Sequence, residues 1–355
     1  MIRRVVLALI LVLAACSTPA PTIDDHLAAG KAALDAGDAA KAIAELEAAV
    51  GLDPTRAEAQ LLLGQAYSAA GRAGEARERL ETGLRQDPNN APALYLYGDL
   101  SMDAGQTLDT VTAYAAAVKL DPGARATHPK IEEAVKAAFD AGREAVEANN
   151  WQQAVQILVP VTALAPDNAV AHFLLGNAYF HLADTKAAAT AYQAALEADP
   201  EYAAAYTNLG VIAYQSGDLN QAVAQYLKAL EIEPDDPETR YLLGAAYLNL
   251  EQKDSAREQF QRAIELNPEL GQAYIGLGNV YLQDKDYDQA MATLLRAIEL
   301  APDLPEGYFA LGKAYAEMGR CADAVPVFQK FLSLNPQEPF KSDAQKMMDL
   351  CATSP

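Results

Sequence analysis

Residues able to do chemistry are sparse in this chain, and their spacing does not favour catalysis. The four histidines are His26, His128, His172 and His181. A helical zinc pair needs imidazoles at i and i+4, so that both reach one ion from one face. His172 and His181 stand nine residues apart in one helix, and no cysteine pair accompanies them. They read as structural or surface histidines, with no metal site. The acidic stretch Glu233–Glu238 lacks the ligand spacing of a calcium loop and reads as a solvated turn. The chain has no G-x-S-x-G elbow, no phosphate-binding loop and no H-E-x-x-H run. Acidic residues are abundant throughout, and no pair is set apart as general acid and base. Neither an enzymatic activity nor a cofactor is expected. What remains is recognition by aromatic and amide side chains, whose meaning depends on the elements that carry them.

Those elements repeat. Glycine falls at 30, 64, 98, 142, 176, 210, 244, 278 and 312, and proline at 54, 88, 122, 166, 200, 234, 268, 302 and 336. Every step is 34 residues except one shared step of 44. A fixed period of this size means stacked supersecondary units, not one globular core. With the glycine at position 8, nine units start at 23, 57, 91, 135, 169, 203, 237, 271 and 305. Position 20 is alanine in eight units, and position 24 is large in all nine (from Leu46 and Leu80 to Phe260 and Phe328). In the unit 203–236, residues 203–215 and 219–232 each place apolar groups at helical spacing and predict two helices, A and B. Ser216-Gly217-Asp218 forms the turn, where aspartate can cap helix B, and Pro234 ends helix B. One such hairpin cannot bury its own apolar face, so stacking must bury it.

This pattern resembles the tetratricopeptide repeat (TPR), whose unit is a 34-residue helix–turn–helix, over residues 23–338. The resemblance implies an all-α TPR solenoid, a right-handed superhelix of nine repeats plus a C-terminal capping helix. Repeats one to three take 23–124 and repeats four to nine take 135–338. The ten extra residues 125–134 are expected to extend the next A helix backward by one to two turns, with Thr127 and Pro129 at its start. We expect them to divide the superhelix into a three-unit and a six-unit segment. In TPR arrays, A-helix positions 2, 5, 9, 12 and 13 line a concave groove. Position 5 here is aromatic in five repeats: Tyr95, Phe139, Phe173, Tyr241 and Phe309. Phe180 and Tyr214 follow at position 12, with Asn177 and Asn279 at position 9 and Asn208 at position 6. Rings supply contact area and amides bond to peptide backbone, which suits an extended peptide. Asn177 and Asn208 match two asparagines of carboxylate-clamp TPRs. The clamp's cationic places hold Phe173, Glu238 and Leu242 instead, so capture of a C-terminal carboxylate is not expected. The other reading of the aromatic stripe is packing between adjacent A helices.

Phe340, Ala344, Met347, Met348 and Cys351 form one apolar stripe, predicting a capping helix within 339–355. Antiparallel packing on helix B of repeat nine would set Cys351 opposite Cys321. A disulfide is expected in an oxidising compartment, and two buried thiols are the alternative. At the other end, Arg3 and Arg4 precede an apolar run and small residues, a secretory signal over 1–15 too short to span a membrane. Leu13-Ala14-Ala15-Cys16 resembles the lipobox of bacterial lipoproteins, which implies acylation of Cys16. An ordinary signal peptide with an incidental cysteine is the alternative. Serine at 17 implies the outer membrane of a Gram-negative envelope, facing the periplasm. The tether 16–22 is short, so the first repeat is expected near the membrane surface.

The chain carries 48 acidic residues against 27 lysines and arginines, a net charge of −21. Phosphate neutralisation needs clustered cations, so nucleic acid is an unfavourable partner. The acidity reads either as solubility of a long exposed array or as an electrostatic role. A lipid-anchored TPR protein resembles the pilotins of pilus secretins and the adaptor lipoproteins of the cell wall. That implies a scaffold holding protein or peptide partners for envelope assembly. A chaperone-like carrier of extended outer-membrane clients is the competing reading. TPR lipoproteins also dimerise, so a homo-oligomer stays open.

Overall fold

The computed structural model describes residues 20–353. Cys16, the signal segment and the first part of the tether lie outside the described residues. Nineteen α-helices and one short 3-10 turn make up the described chain, with no strand among the described residues. The repeats are hairpins of α1 (Ile23–Asp35) with α2 (Ala39–Leu52), α3 (Ala57–Ala69) with α4 (Ala73–Gln86), and α5 (Ala91–Asp103) with α6 (Thr107–Leu120). There follow α7 (Ile131–Glu147) with α8 (Trp151–Leu164), α9 (Ala169–His181) with α10 (Thr185–Ala198), and α11 (Ala203–Gln215) with α12 (Leu219–Ile232). The last three are α13 (Pro237–Asn249) with α14 (Lys253–Leu266), α15 (Gly271–Gln283) with α16 (Tyr287–Leu300), and α17 (Pro305–Glu317) with α18 (Cys321–Ser333). Helix α19 (Phe340–Thr353) closes the chain. The fold is an all-α TPR solenoid. Two compact units divide it, one ending at Asp140 and the other beginning at Ala141.

One contact recurs in every hairpin. The position-24 side chain of helix B lies against the position-8 glycine of helix A. A Cβ added to these glycines would sit 2.5 to 2.8 Å from that side chain, from Gly30 on Leu46 to Gly312 on Phe328. Real Cβ atoms do not approach so closely, so only glycine lets the two helices come this near. Leu46, Leu80, Tyr114, Leu158, Tyr192, Tyr226, Phe260, Leu294 and Phe328 are all at most 1% exposed. Position-20 alanines are buried alongside them, as at Ala222 and Ala256.

The A–B turn is equally regular. Its position-15 residue is left-handed in all nine repeats, including the non-glycine residues Asn149, Ala183, Glu251 and Lys285. A Schellman pattern holds it: Asp218 N–H donates to the Ala213 carbonyl at 2.9 Å, and Gly217 N–H to that of Tyr214 at 3.0 Å. Asp218 then caps α12 by accepting from Gln221 N–H at 3.0 Å. Thr22 and Asp25 form a reciprocal capping box that starts α1.

Three features depart from the expectations above or from local helix rules. Pro122–Thr127 forms its own 3-10 turn, so α7 begins at Ile131 rather than at Thr127 or Pro129. The helix still runs back beyond the repeat register at 135, and Ile131 and Ala134 are buried. Helices α8 and α18 continue through Pro160 and Pro326, where packing of Leu158, Val161 and Phe328 offsets the lost hydrogen bond. On α19, Ala344 is buried against Phe328 and Phe331, with Met347, Met348 and Cys351 packed nearby. Phe340, the first member of that stripe, is instead 51% exposed. Cys321 and Cys351 are joined by a disulfide, with Cα atoms 5.2 Å apart.

Two outcomes follow from this packing. Gly210→Ala is expected to destabilise the protein by about 2 kcal/mol, because overpacking forces Tyr226 from its place. Urea unfolding reads the change, and a midpoint at or above the wild type would refute the role of the contact. The disulfide closes a loop of 30 residues and stabilises the cap by about 3 kcal/mol. Mass spectrometry of the unreduced protein is expected to find no free thiol at either position, and reduction to lower the melting temperature.

Candidate functional site

The position-24 side chain that fills the glycine notch also supports the aromatic stripe. Position 5 lies three residues before the glycine on the same face of helix A. Tyr95 meets Tyr114 at 6.3 Å between ring centroids, Phe173 meets Tyr192 at 5.7 Å, Tyr241 meets Phe260 at 6.1 Å and Phe309 meets Phe328 at 6.2 Å. Some rings also touch the start of the following A-type helix, as Phe173 does with Tyr202 and Phe309 with Phe340. The stripe is therefore a packed layer, yet Tyr95, Phe139, Phe173, Tyr241 and Phe309 all stay half-buried. One face of the layer is fixed from below, and the other remains accessible.

The amides are tied to this layer. Tyr192 Oη donates to Asn177 Oδ1 at 2.8 Å, and Asn208 Nδ2 donates to the same oxygen at 3.1 Å. Phe180 packs in the same cluster as Tyr192. Tyr114 Oη likewise donates to Asp99 Oδ1 at 2.6 Å. In both repeats a position-24 tyrosine finds its acceptor at position 9. Repeat six has Val211 there, and Tyr226 Oη is buried without a partner. Burial raises the pKa of Tyr226 and of its neighbour Tyr241 above the ordinary phenol value.

Two adjoining depressions lie within the unit that begins at Ala141. A cavity of about 360 Å³ is bounded by Tyr214, Tyr241, Asn249, Gln272, Asn279 and Glu306, over a floor that includes Phe260 and Gly276. A second, of about 700 Å³, is bounded by Asn279, Glu306, Phe309, Lys313, Phe331 and Phe340. The two share Asn279 and Glu306, so they adjoin one another across α11 to α19. Asn249 Nδ2 donates to Tyr214 Oη at 2.5 Å at their edge. Tyr214, Tyr241, Asn279 and Phe309 thus come together. Phe173, Asn177, Phe180 and Asn208 form a separate cluster on α9 and α11. Tyr95 and Phe139 belong to the other compact unit. Gln272, Glu306 and Lys313 stand outside the aromatic and asparagine pattern, although positions 2 and 9 place all three on the groove face. Phe331, Phe340 and the loop before α19 carry no repeat signal, and their part shows only in three dimensions.

No group of three or more metal-ligating side chains occurs among the described residues. No described helix is long and apolar enough to cross a membrane.

Sequence profiles for the tetratricopeptide repeat match residues 33–100 and 145–209, and a TPR repeat profile matches 212–251 and 278–319. Two further tetratricopeptide repeat profiles match 237–270 and 305–338. Comparison with curated protein sequences returns no match. Among solved structures, pilF of Pseudomonas aeruginosa is similar at 19% identity, covering 61% of this chain and 98% of that chain with a TM-score of 0.53. MamA is similar at 29% identity over 47% of this chain and 91% of that chain, with a TM-score of 0.42. YrrB, described as a TPR protein with an unusual peptide-binding site, is similar at 23% identity over 53% of this chain and 97% of that chain, with a TM-score of 0.44. The likeness to pilF supports the fold.

The unpaired hydroxyl gives a direct check on the position-9 rule. Tyr226→Phe removes a buried orphan and is expected to stabilise the protein by about 1 kcal/mol, whereas Tyr192→Phe is expected to destabilise it by a similar amount. Equal effects of the two substitutions in urea unfolding would contradict the rule.

Proposed function

The chain belongs to the tetratricopeptide repeat family, and on that premise we propose that it is a lipid-anchored adaptor of the bacterial envelope. Its A-helix groove holds partner proteins or peptides for assembly of a pilus-secretin or cell-wall complex. The observation that carries the reading is the pair of adjoining depressions over α11 to α19. They combine a firm aromatic floor with amide side chains at their rim. Such a surface offers contact area without ordering cost, because the rings are already packed. Its amides have donors and acceptors for an extended backbone.

The lipobox at Leu13–Cys16 supports attachment at the amino end, where two or more acyl chains give stable anchoring. Residues 17–22 would span about 20 Å if extended, which keeps the first repeat close to the bilayer. The net charge of −21 opposes adhesion to anionic lipid, so the anchor rather than the surface holds the protein.

Photo-crosslinking in cells from positions 241, 279 and 309 tests the adaptor. One stoichiometric partner is the expected product, and it is lost in Tyr241→Ala/Phe309→Ala while Cys16→Ser releases the protein from the membrane fraction. Many unfolded clients would replace the adaptor by a carrier. The absence of any groove crosslink, or membrane retention of Cys16→Ser, would refute the corresponding half of the reading.

A further inference from the structure

The chain shows on itself what its groove face accepts. In repeat three, the segment after the 3-10 turn lies across the A helix. The His128 ring stacks on Tyr95 with centroids 4.9 Å apart and planes 15° apart. His128 Nε2 lies 3.5 Å from Asp99 Oδ1, and Lys130 Nζ lies 2.8 Å from Asp103 Oδ1. Tyr95, Asp99 and Asp103 occupy positions 5, 9 and 13, three of the groove positions. An aromatic ring and a cation carried on one short segment therefore occupy a groove aromatic and groove acids together.

The C-terminal depression offers the same pairing: the chain's own Phe340 lies against Phe309, but no cation among the described residues pairs with the acid beside it. Phe309 stands at position 5, and its cavity is completed by Phe331 and Phe340, whose rings lie 5.3 and 5.2 Å from it. Glu306 stands at position 2, bounds both cavities, is exposed, and has no ion pair among the described residues. The other acid there, Glu338, is engaged by Ser342, whose hydroxyl donates to it at 2.6 Å. Lys313 lies 3.8 Å from Glu317. Glu306 is thus the carboxylate left for a partner's charge. The amides of Asn279 and Gln272 flank it with backbone-matching donors and acceptors.

We propose that the adjoining cavities bind an extended segment of a partner protein carrying an aromatic residue next to a lysine or arginine. The aromatic side chain lies in the cavity lined by Phe309, Phe331 and Phe340, and the cation reaches Glu306. The chain's net charge of −21 favours a basic segment at long range, and the pairing at Glu306 sets its register. This inference rests on the peptide-groove reading above and adds the chemistry of the ligand.

The test uses the full chain and two probes. Random dodecapeptides on phage are first panned against it. Labelled synthetic peptides with a central Phe-Lys, Phe-Glu or Ser-Lys pair in a Gly-Ser background are then titrated by fluorescence anisotropy. Enrichment of aromatic–basic pairs is expected, with the Phe-Lys peptide binding about tenfold tighter than either of the others. Glu306→Gln should remove the preference for lysine over glutamate but keep the preference for phenylalanine over serine. Phe309→Ala should remove the latter, and thermal melting of both variants checks that they fold. Equal binding of Phe-Lys and Phe-Glu peptides, or a lysine preference that survives Glu306→Gln, would overturn the proposal. Selected peptides without the pair that bind the wild type but not Tyr241→Ala/Phe309→Ala would overturn it while leaving the peptide groove intact. Selection of no peptide would overturn both.

Discussion

The contact between a glycine on one helix and a large side chain on the next sets the geometry of the protein. Nine times the position-8 glycine admits a position-24 leucine, tyrosine or phenylalanine to a distance that a methyl group would forbid. The close approach fixes how the two helices of each hairpin cross. It also presses the position-24 ring upward beneath position 5. Where both positions are aromatic, in repeats three, five, seven and nine, the pair becomes two tiers of rings that meet at a tilt or edge to face. The lower tier belongs to the core and the upper tier to the recognition surface. One sterically enforced contact therefore serves both stability and binding.

This coupling explains why the protein's recognition residues are half-buried rather than free. A ring held from below loses little rotamer entropy when a ligand covers it. It also explains the variation among repeats. Tyr192 and Tyr114 reach acceptors at position 9, which brings Asn177 and Asp99 into fixed places. Tyr226 faces Val211 and has no such acceptor, so repeat six contributes Tyr214 to the depression but no anchored amide at position 9.

Much of this was readable from residue types because the period was long and strict. Gly210 with Tyr226, the turn at Ser216–Asp218 and the break at Pro234 each pointed to the same hairpin, and α11 and α12 have the bounds their spacing implied. Other features were hidden for physical reasons. Ala183, Glu251 and Lys285 adopt the left-handed turn conformation that residue preference assigns to glycine, because the Schellman hydrogen bonds and the stacked helices impose it. Pro160 and Pro326 would mark helix ends by local rules, yet tertiary packing carries both helices through. The role of Phe340 was invisible because a helical stripe predicts burial on one face, while its first residue sits over the edge of repeat nine. Glu306 and Gln272 carry no sequence signal of their own, because acids and amides at exposed helix starts ordinarily serve solvation.

Glycine and its large partner act as one unit. The most direct measurement is a double-mutant cycle at Gly244 and Phe260, read by urea unfolding. Gly244→Ala is expected to be far less damaging in the presence of Phe260→Leu, with a coupling energy of about 1 to 2 kcal/mol. Additive effects of the two substitutions would contradict it.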